Sequence, residues 1–308
     1  MAFVNQLSTY ISTDFRTCVP ILFAALGLLI MSRSGLTNIG AEGTMLMASL
    51  AAVAGSYYSG NVWVGFICAM ATGALMGLLF AVLTVTLRSN QIVVGAAFNT
   101  LGSGLTVVLN RIIFGITDTT INVQSFSTIN VPVLSKIPFI GPILFSQKAP
   151  VYLAFLMVPV IHYFLFKMPA GLNLRSVGEN PKAADTLGIN VYAVRYRASI
   201  VGGVLMGMGG AFLSTGLLTF FSEEMTAGRG FIALAAVIFG RYKPVGVMLA
   251  SMLFAAGTVI ANAAQAANSP IPYNFLVMIP YVLTILALAG FAGKTTAPAA
   301  AGKPYKRG

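Results

Sequence analysis

Charge is what this sequence has least of. Only 8% of its residues are charged, where a soluble domain carries roughly 25%. With 57% hydrophobic residues and a mean hydropathy of +0.87, that scarcity excludes an ordinary soluble fold and points to an integral membrane protein. Acids are scarcer than bases: seven Asp and Glu against eighteen Lys and Arg, with one His and two Cys, in 308 residues. So few ligating and nucleophilic groups leave no metal cluster and no Cys/His pair. No G-x-S-x-G elbow is present, nor a potassium-type filter. No catalytic residue and no metal ligand is therefore expected. Cys18 and Cys68 both lie in apolar runs, so a structural disulfide is not expected either. His162, lacking a second ligand, reads as interfacial packing.

What is present is a succession of apolar runs. They fall near 18–32, 36–58, 62–87, 91–113, 150–166, 198–221, 230–240, 245–266 and 273–291. A full span needs about twenty residues. The expected fold is an all-α, polytopic transmembrane bundle of about nine spans (eight to ten), with one short, broken or re-entrant segment near 230–240. The domain reading is an N-terminal segment 1–17, a transmembrane unit 18–293, and a disordered basic tail 294–308 rich in Ala, Pro, Gly and Lys. A cleaved signal peptide is not expected, because the first seventeen residues lack a basic region and more spans follow.

The net charge of +11 reads as membrane topology rather than nucleic-acid binding. Basic residues collect in cytoplasmic loops. Placing 88–90 inside and alternating puts thirteen bases within (Arg33, Arg88, Lys167, Arg175, Lys182, Arg195, Arg197, Arg241, Lys243, Lys294, Lys303, Lys306, Arg307). Five remain outside (Arg16, Arg111, Lys136, Lys148, Arg229). The bias predicts an outer N-terminus, an inner C-terminus, a cytoplasmic 168–197 loop and an extracytoplasmic 114–149 loop that caps the outer mouth.

Polar residues within spans are candidates for a solute path. Glu42 follows Leu36 by six residues, about 9 Å into a regular helix, where a carboxylate needs a partner. Asn38 stands one turn earlier on the same face. The alternatives are a polar stretch along the path, or a packing network at the cytoplasmic end with Glu42 paired to a base. Asn99 and Thr100 lie mid-span, and Asn262 and Gln265 near the outer end of a later span. Such amides either line an aqueous path suited to a neutral polar solute or join helices. Gly73/Gly77 and Gly203/Gly207 have the spacing of close helix packing.

The 168–197 loop interrupts this apolar chain with Arg175, Lys182, Arg195, Arg197, Glu179 and Asp185. Within it Asn180 suits a helix N-cap, Pro181 the first helical position, and Gly188 a left-handed end. A short helix on the cytoplasmic face is a docking element for something soluble. Gly293-Lys294-Thr295-Thr296 echoes a phosphate-binding loop, but Leu288 stands where that motif needs Gly, and Pro298 opposes the helix that must follow.

Three stretches resemble the permease subunits of bacterial ABC importers, in the branch of ribose, branched-chain amino acid and nucleoside systems. They are Gly35-Leu36-Thr37-Asn38-Ile39-Gly40-Ala41-Glu42-Gly43-Thr44-Met45-Leu46, then Gly178 to Ile189, then Thr226 to Gly240 with its Gly228-Arg229-Gly230-Phe231 core. The first looks most like the nucleoside branch. The resemblance implies a second permease chain of different sequence, a cytoplasmic ATPase that carries ATP and magnesium, and an extracytoplasmic solute-binding protein or lipoprotein. No cofactor on this chain and no nucleic-acid partner is implied. It places Gly178, Asn180, Pro181, Ala183, Ala184, Asp185 and Gly188 on the element that couples to the ATPase, in the cytoplasmic membrane. The competing reading is a stand-alone secondary transporter or channel for a small polar solute.

Overall fold

Helix boundaries follow local signals closely. In the computed structural model, which describes residues 2–115, 121–130, 140–267 and 297–306 together with Phe275, Met278 and Val282, α1 (Ala2–Arg33) ends at Gly35, whose φ of 86° only glycine adopts freely. α2 (Ala41–Ser59) ends in the same way at Gly60, φ 65°. α3 (Val62–Ala81) starts at Asn61, whose side chain accepts from Trp63 N, and continues into a π-helical turn, Val82–Thr86. α4 (Gln91–Phe114) is capped by Asn90, and Gly115 follows its end. A short hairpin, β1 (Thr128–Asn130) with β2 (Ser146–Lys148), flanks α5 (Ile140–Leu144). Then come α6 (Ala149–Lys167), α7 (Pro169–Glu179), α8 (Pro181–Thr186) and α9 (Val191–Ala211), the last continued by π turns Phe212–Leu217. α10 (Arg229–Phe239) and α11 (Pro244–Ala266) complete the described bundle.

Six of these helices are long and apolar enough to cross a membrane: Ser8–Arg33, Val62–Thr86, Gln91–Phe114, Ala149–Lys167, Val191–Leu217 and Pro244–Ala266. The expected count of about nine is not reached among the described residues. The run at 273–291 falls outside them, apart from three residues. The short segment near 230–240 is an 11-residue apolar helix, α10. α1 extends far beyond the expected 18–32: residues 2–17 belong to the same helix rather than to a separate N-terminal segment. The expected span 36–58 loses its first turn, because Asn38 and Gly40 form a tight side-chain turn and helix begins only at Ala41.

α1 and α9 form the centre, and their apolar side chains from Val19 to Met31 and from Leu205 to Phe212 are almost fully buried. α9 packs on both α1 and α3. The two glycine pairs read from the sequence interlock with each other. A Cβ at Gly73 would stand 2.2 Å from Gly203 O, and one at Gly203 would stand 2.1 Å from Gly73 O. Ser199 Oγ donates to Gly77 O at 2.7 Å and seals the same seam. Without a hydrophobic driving force between helices in lipid, this close backbone approach supplies the packing energy.

The bundle has two ends. One, the loop end, gathers Arg33, the start of α4, and α7 and α8. There Arg33 donates to Tyr242 O from Nε (3.0 Å) and Nη2 (2.6 Å), tying α1 to the α10–α11 turn. Burial pushes the Tyr242 phenol above its usual range, against the opposing pull of Arg33. The far end carries Ser59, Phe114 and the hairpin. Phe126 inserts among Trp63, Phe66 and Phe212. Lys148 Nζ donates to Ser125 Oγ at 2.7 Å and to Gly216 O, fastening the described part of 114–149 over the end of α9. Burial, reinforced by Arg16, holds that ammonium below the usual lysine range.

Candidate functional site

At the loop end the segment 168–190 is mostly helical, not the single short helix the sequence suggests. α7 precedes α8, and α9 begins at Val191 rather than near 198. α8 itself sits where its punctuation places it. Asn180 Oδ1 accepts from Ala183 N at 3.1 Å, Pro181 opens the helix, and Gly188 at φ 82° closes it, with Ile189 N donating to Ala184 O at 3.1 Å. Lys182, Ala183, Thr186, Leu187 and Gly188 are exposed, and Asp185 is half-buried. Leu187, which follows α8 directly, is 80% exposed.

Two of the expected docking residues turn inward. Ala184 is 2% exposed and packs with Val177, Val191 and Tyr305. A Cβ at Gly178 would lie 2.2 Å from Arg33 O, so this glycine lets α7 meet the end of α1. Both are small for packing within the chain. The partner in that packing is the tail, expected to be disordered, whose residues 297–306 lie against this segment. Ala300 N donates to Gly178 O (3.0 Å), Gly302 N to Gly35 O (3.2 Å), and the buried Arg195 from Nη1 to Lys303 O (3.2 Å). Tyr305 lies 5.8 Å from the Tyr192 ring. Composition hid this order, because backbone bonds and one aromatic carry it.

Half-way through the bundle the chain makes a second polar junction. Residues 37–43 climb along α4: Thr37 N donates to Gln91 Oε1 (2.6 Å), Asn99 Nδ2 to Ile39 O (3.0 Å), and Gly43 N to Asn99 Oδ1 (2.9 Å). Asn99 lies eight residues along α4 from Gln91, about 12 Å at the rise of a regular helix. Glu42 is at that depth. Its carboxylate accepts from Gly228 N at 2.7 Å and from Gly230 N at 2.6 Å. A Cβ at Gly230 would stand 2.4 Å from Glu42 N, so the first turns of α2 and α10 touch.

These two helices leave the junction toward opposite ends. α10 ends beside Arg33 at the loop end, and α2 ends where Tyr58 OH reaches Ile113 O at the far end. Their N-terminal partial positive charges therefore meet, and Glu42 neutralises both. Of the two readings of Glu42, the packing network paired to a base at one end is corrected. The partner of Glu42 is backbone N–H of another helix, not a base, and the network lies deep in the bundle rather than at one end.

The path candidates divide. Asn38 is 2% exposed and spends its amide oxygen on Gly40 N at 2.7 Å. Asn99 ties α4 to Ile39 O and Gly43 N at the start of α2. Thr100 is exposed, its hydroxyl donating to Ala96 O at 3.4 Å. Asn262 and Gln265 are exposed on α11, which packs on α1, α10 and α6, whereas α4 packs on α2. Among the described residues, Asn99 and Thr100 on α4 are thus not brought beside Asn262 and Gln265 on α11. Sequence reasoning missed Gln91, buried at the foot of α4, and Glu224, whose carboxyl takes the Ser103 hydroxyl. Their only signal is an acid or amide beside an apolar run. No group of three or more His, Cys, Asp or Glu residues suited to a metal occurs among the described residues.

Residues 10–288 match the family described as branched-chain amino acid transport system / permease component. The chain belongs to that family. The permease is 41% identical, over 99% of both chains, to the nucleoside ABC transporter permease protein NupC of Lactococcus lactis. It is 37% identical to the guanosine ABC transporter permease protein NupQ of Bacillus subtilis, over 100% of this chain and 99% of that one. It is 36% identical to the putative glucose ABC transporter permease protein TsgC13 of Haloferax volcanii, over 79% of this chain and 74% of the other. No solved structure matches the chain.

Proposed function

We propose that this permease is the membrane-spanning subunit of an ATP-driven importer of nucleosides. The observation that carries the solute is full-length similarity to two relatives whose names specify nucleoside and guanosine transport. The glucose relative matches less of the chain. ATP hydrolysis belongs to a separate cytoplasmic ATPase. It docks on α8 through Lys182, Ala183, Asp185 and above all Leu187, with Asn180, Pro181 and Gly188 setting the helix and Gly178 and Ala184 seating it on α1, α9 and the tail.

The loop end is then cytoplasmic and the hairpin end extracytoplasmic, in line with the basic bias. A second permease chain of different sequence and an extracytoplasmic solute-binding protein complete the assembly. Thr100 marks the solute path on α4, while Asn38, Glu42 and Asn99 hold the helices that border it. Asn262 and Gln265 face outward from another helix and serve the far-end mouth.

Affinity purification of the tagged chain from native membranes in mild detergent tests the assembly. A co-purifying protein with a nucleotide-binding motif, near one copy per permease chain, is expected. Recovery of this chain by itself, under conditions that preserve other membrane complexes, favours a gradient-driven transporter instead.

A further inference from the structure

Two glutamates stand at similar depth in this bundle, and they differ in one respect. Glu42 is 8% exposed, and backbone N–H groups occupy both of its oxygens. Glu224 is exposed. Its Oε1 accepts from Ser103 Oγ, and among the described residues Oε2 takes no hydrogen bond. Ser103 lies twelve residues along the 24-residue α4, at its midpoint. Thr100, Leu101 and Gly104 on the same stretch of α4 are exposed too, as is Ala227 opposite.

A carboxyl at this depth is strongly disfavoured against lipid. The face that carries it is therefore wetted by a path or covered by a partner. The backbone aims it there at a cost. Glu224 at φ 56° and Ala227 at φ 45° both hold left-handed conformations that L-residues avoid, in the turn that delivers α10 to Glu42. A turn selected for stability has no need of an acid at its strained position.

We infer that Glu224, braced by Ser103 and next to Thr100, is a hydrogen-bond-accepting site for the solute inside the membrane. This rests on the proposed reading as a nucleoside permease. Ser103 fixes one oxygen and leaves the other free. A carboxylate held in this way suits a donor of adjacent hydroxyls, and the ribose of a nucleoside presents such a pair. Thr100, one turn toward the loop end, offers a hydroxyl for the next contact as the solute descends. Glu223, its neighbour, lies 3.9 Å from Arg111 on the far-end side and leaves the deeper position to Glu224.

The test uses the complete transporter, recovered with its partners and reconstituted in liposomes, and compares uptake of guanosine with that of 2′-deoxyguanosine. Glu224→Ala and Glu224→Gln are expected to lower guanosine uptake about tenfold, the loss of one charge-assisted hydrogen bond. They lower 2′-deoxyguanosine uptake less, so the ratio of the two falls. The preference of the solute-binding protein enters wild-type and variant ratios equally. An unchanged ratio, whether both rates fall or neither does, overturns the site. A wild type that moves neither solute overturns the nucleoside reading itself, which distinguishes the two failures.

A second readout guards against misfolding. In a background with Cys18→Ala and Cys68→Ala, Thr100→Cys, which keeps Glu224, is treated with a membrane-impermeant maleimide. Labelling that guanosine suppresses supports the site. Absence of labelling, or labelling that guanosine leaves unchanged, contradicts it.

Discussion

Glu42 shows how one residue fixes both a junction and its energetics. A mid-bundle carboxylate demands donors, and the nearest ones are the orphan N–H groups at the start of α10, which demand an acceptor. Each satisfies the other at 2.6–2.7 Å. Glu42→Ala leaves Gly228 N and Gly230 N without that acceptor and is expected to destabilise the fold by at least ~2 kcal/mol. Glu42→Gln keeps one acceptor and is expected to lose less. Thermal unfolding in detergent reads both, and equal midpoints for the wild type and Glu42→Ala contradict the assignment. That Glu42 needed a partner was legible from its place in an apolar run. Which partner was not, because Gly228 and Gly230 are distant in sequence and act through backbone.

At the scale of elements, the α3–α9 seam was the most legible feature. Small residues at i and i+4 in apolar runs state that a backbone comes close, and the two pairs prove to be partners of each other. Gly203→Ala puts a methyl group 2.1 Å from Gly73 O, where only a helix shift relieves it. A loss of ~1–3 kcal/mol is expected, as for other overpacked sites. Gly104→Ala meets nothing within 4 Å and is expected to leave the melting midpoint unchanged. Equal losses for both glycines contradict the seam. α8 was legible for a similar reason: capping residues act within four positions. The inward turn of Ala184 was not, since it depends on Tyr305 of the tail. Leu187→Asp removes the exposed leucine of α8 and is expected to abolish recovery of the ATPase with an unaltered melting midpoint. Undiminished recovery contradicts docking through that residue.

The whole molecule joins a membrane bundle to a polar platform at the loop end. Spans were legible as apolar runs, but their number was not. α2 starts late behind a non-helical climb, and α10 is too short to cross, so an apolar run did not equal a span. The tail finishes the platform, since Ala300 and Gly302 bond to Gly178 and Gly35. Truncation after residue 296 is expected to speed amide hydrogen exchange in 176–190 and leave α3 and α9 protected. Unchanged exchange in 176–190 contradicts a structural tail.

In the proposed importer this chain moves solute only when an ATPase beneath it turns over. The direct measurement is uptake of radiolabelled guanosine into proteoliposomes holding the permease with its co-purified partners. Uptake is expected to require ATP, to persist when ionophores collapse all ion gradients, and to disappear with Leu187→Asp. Uptake by this chain by itself, indifferent to ATP and lost with the gradients, contradicts it.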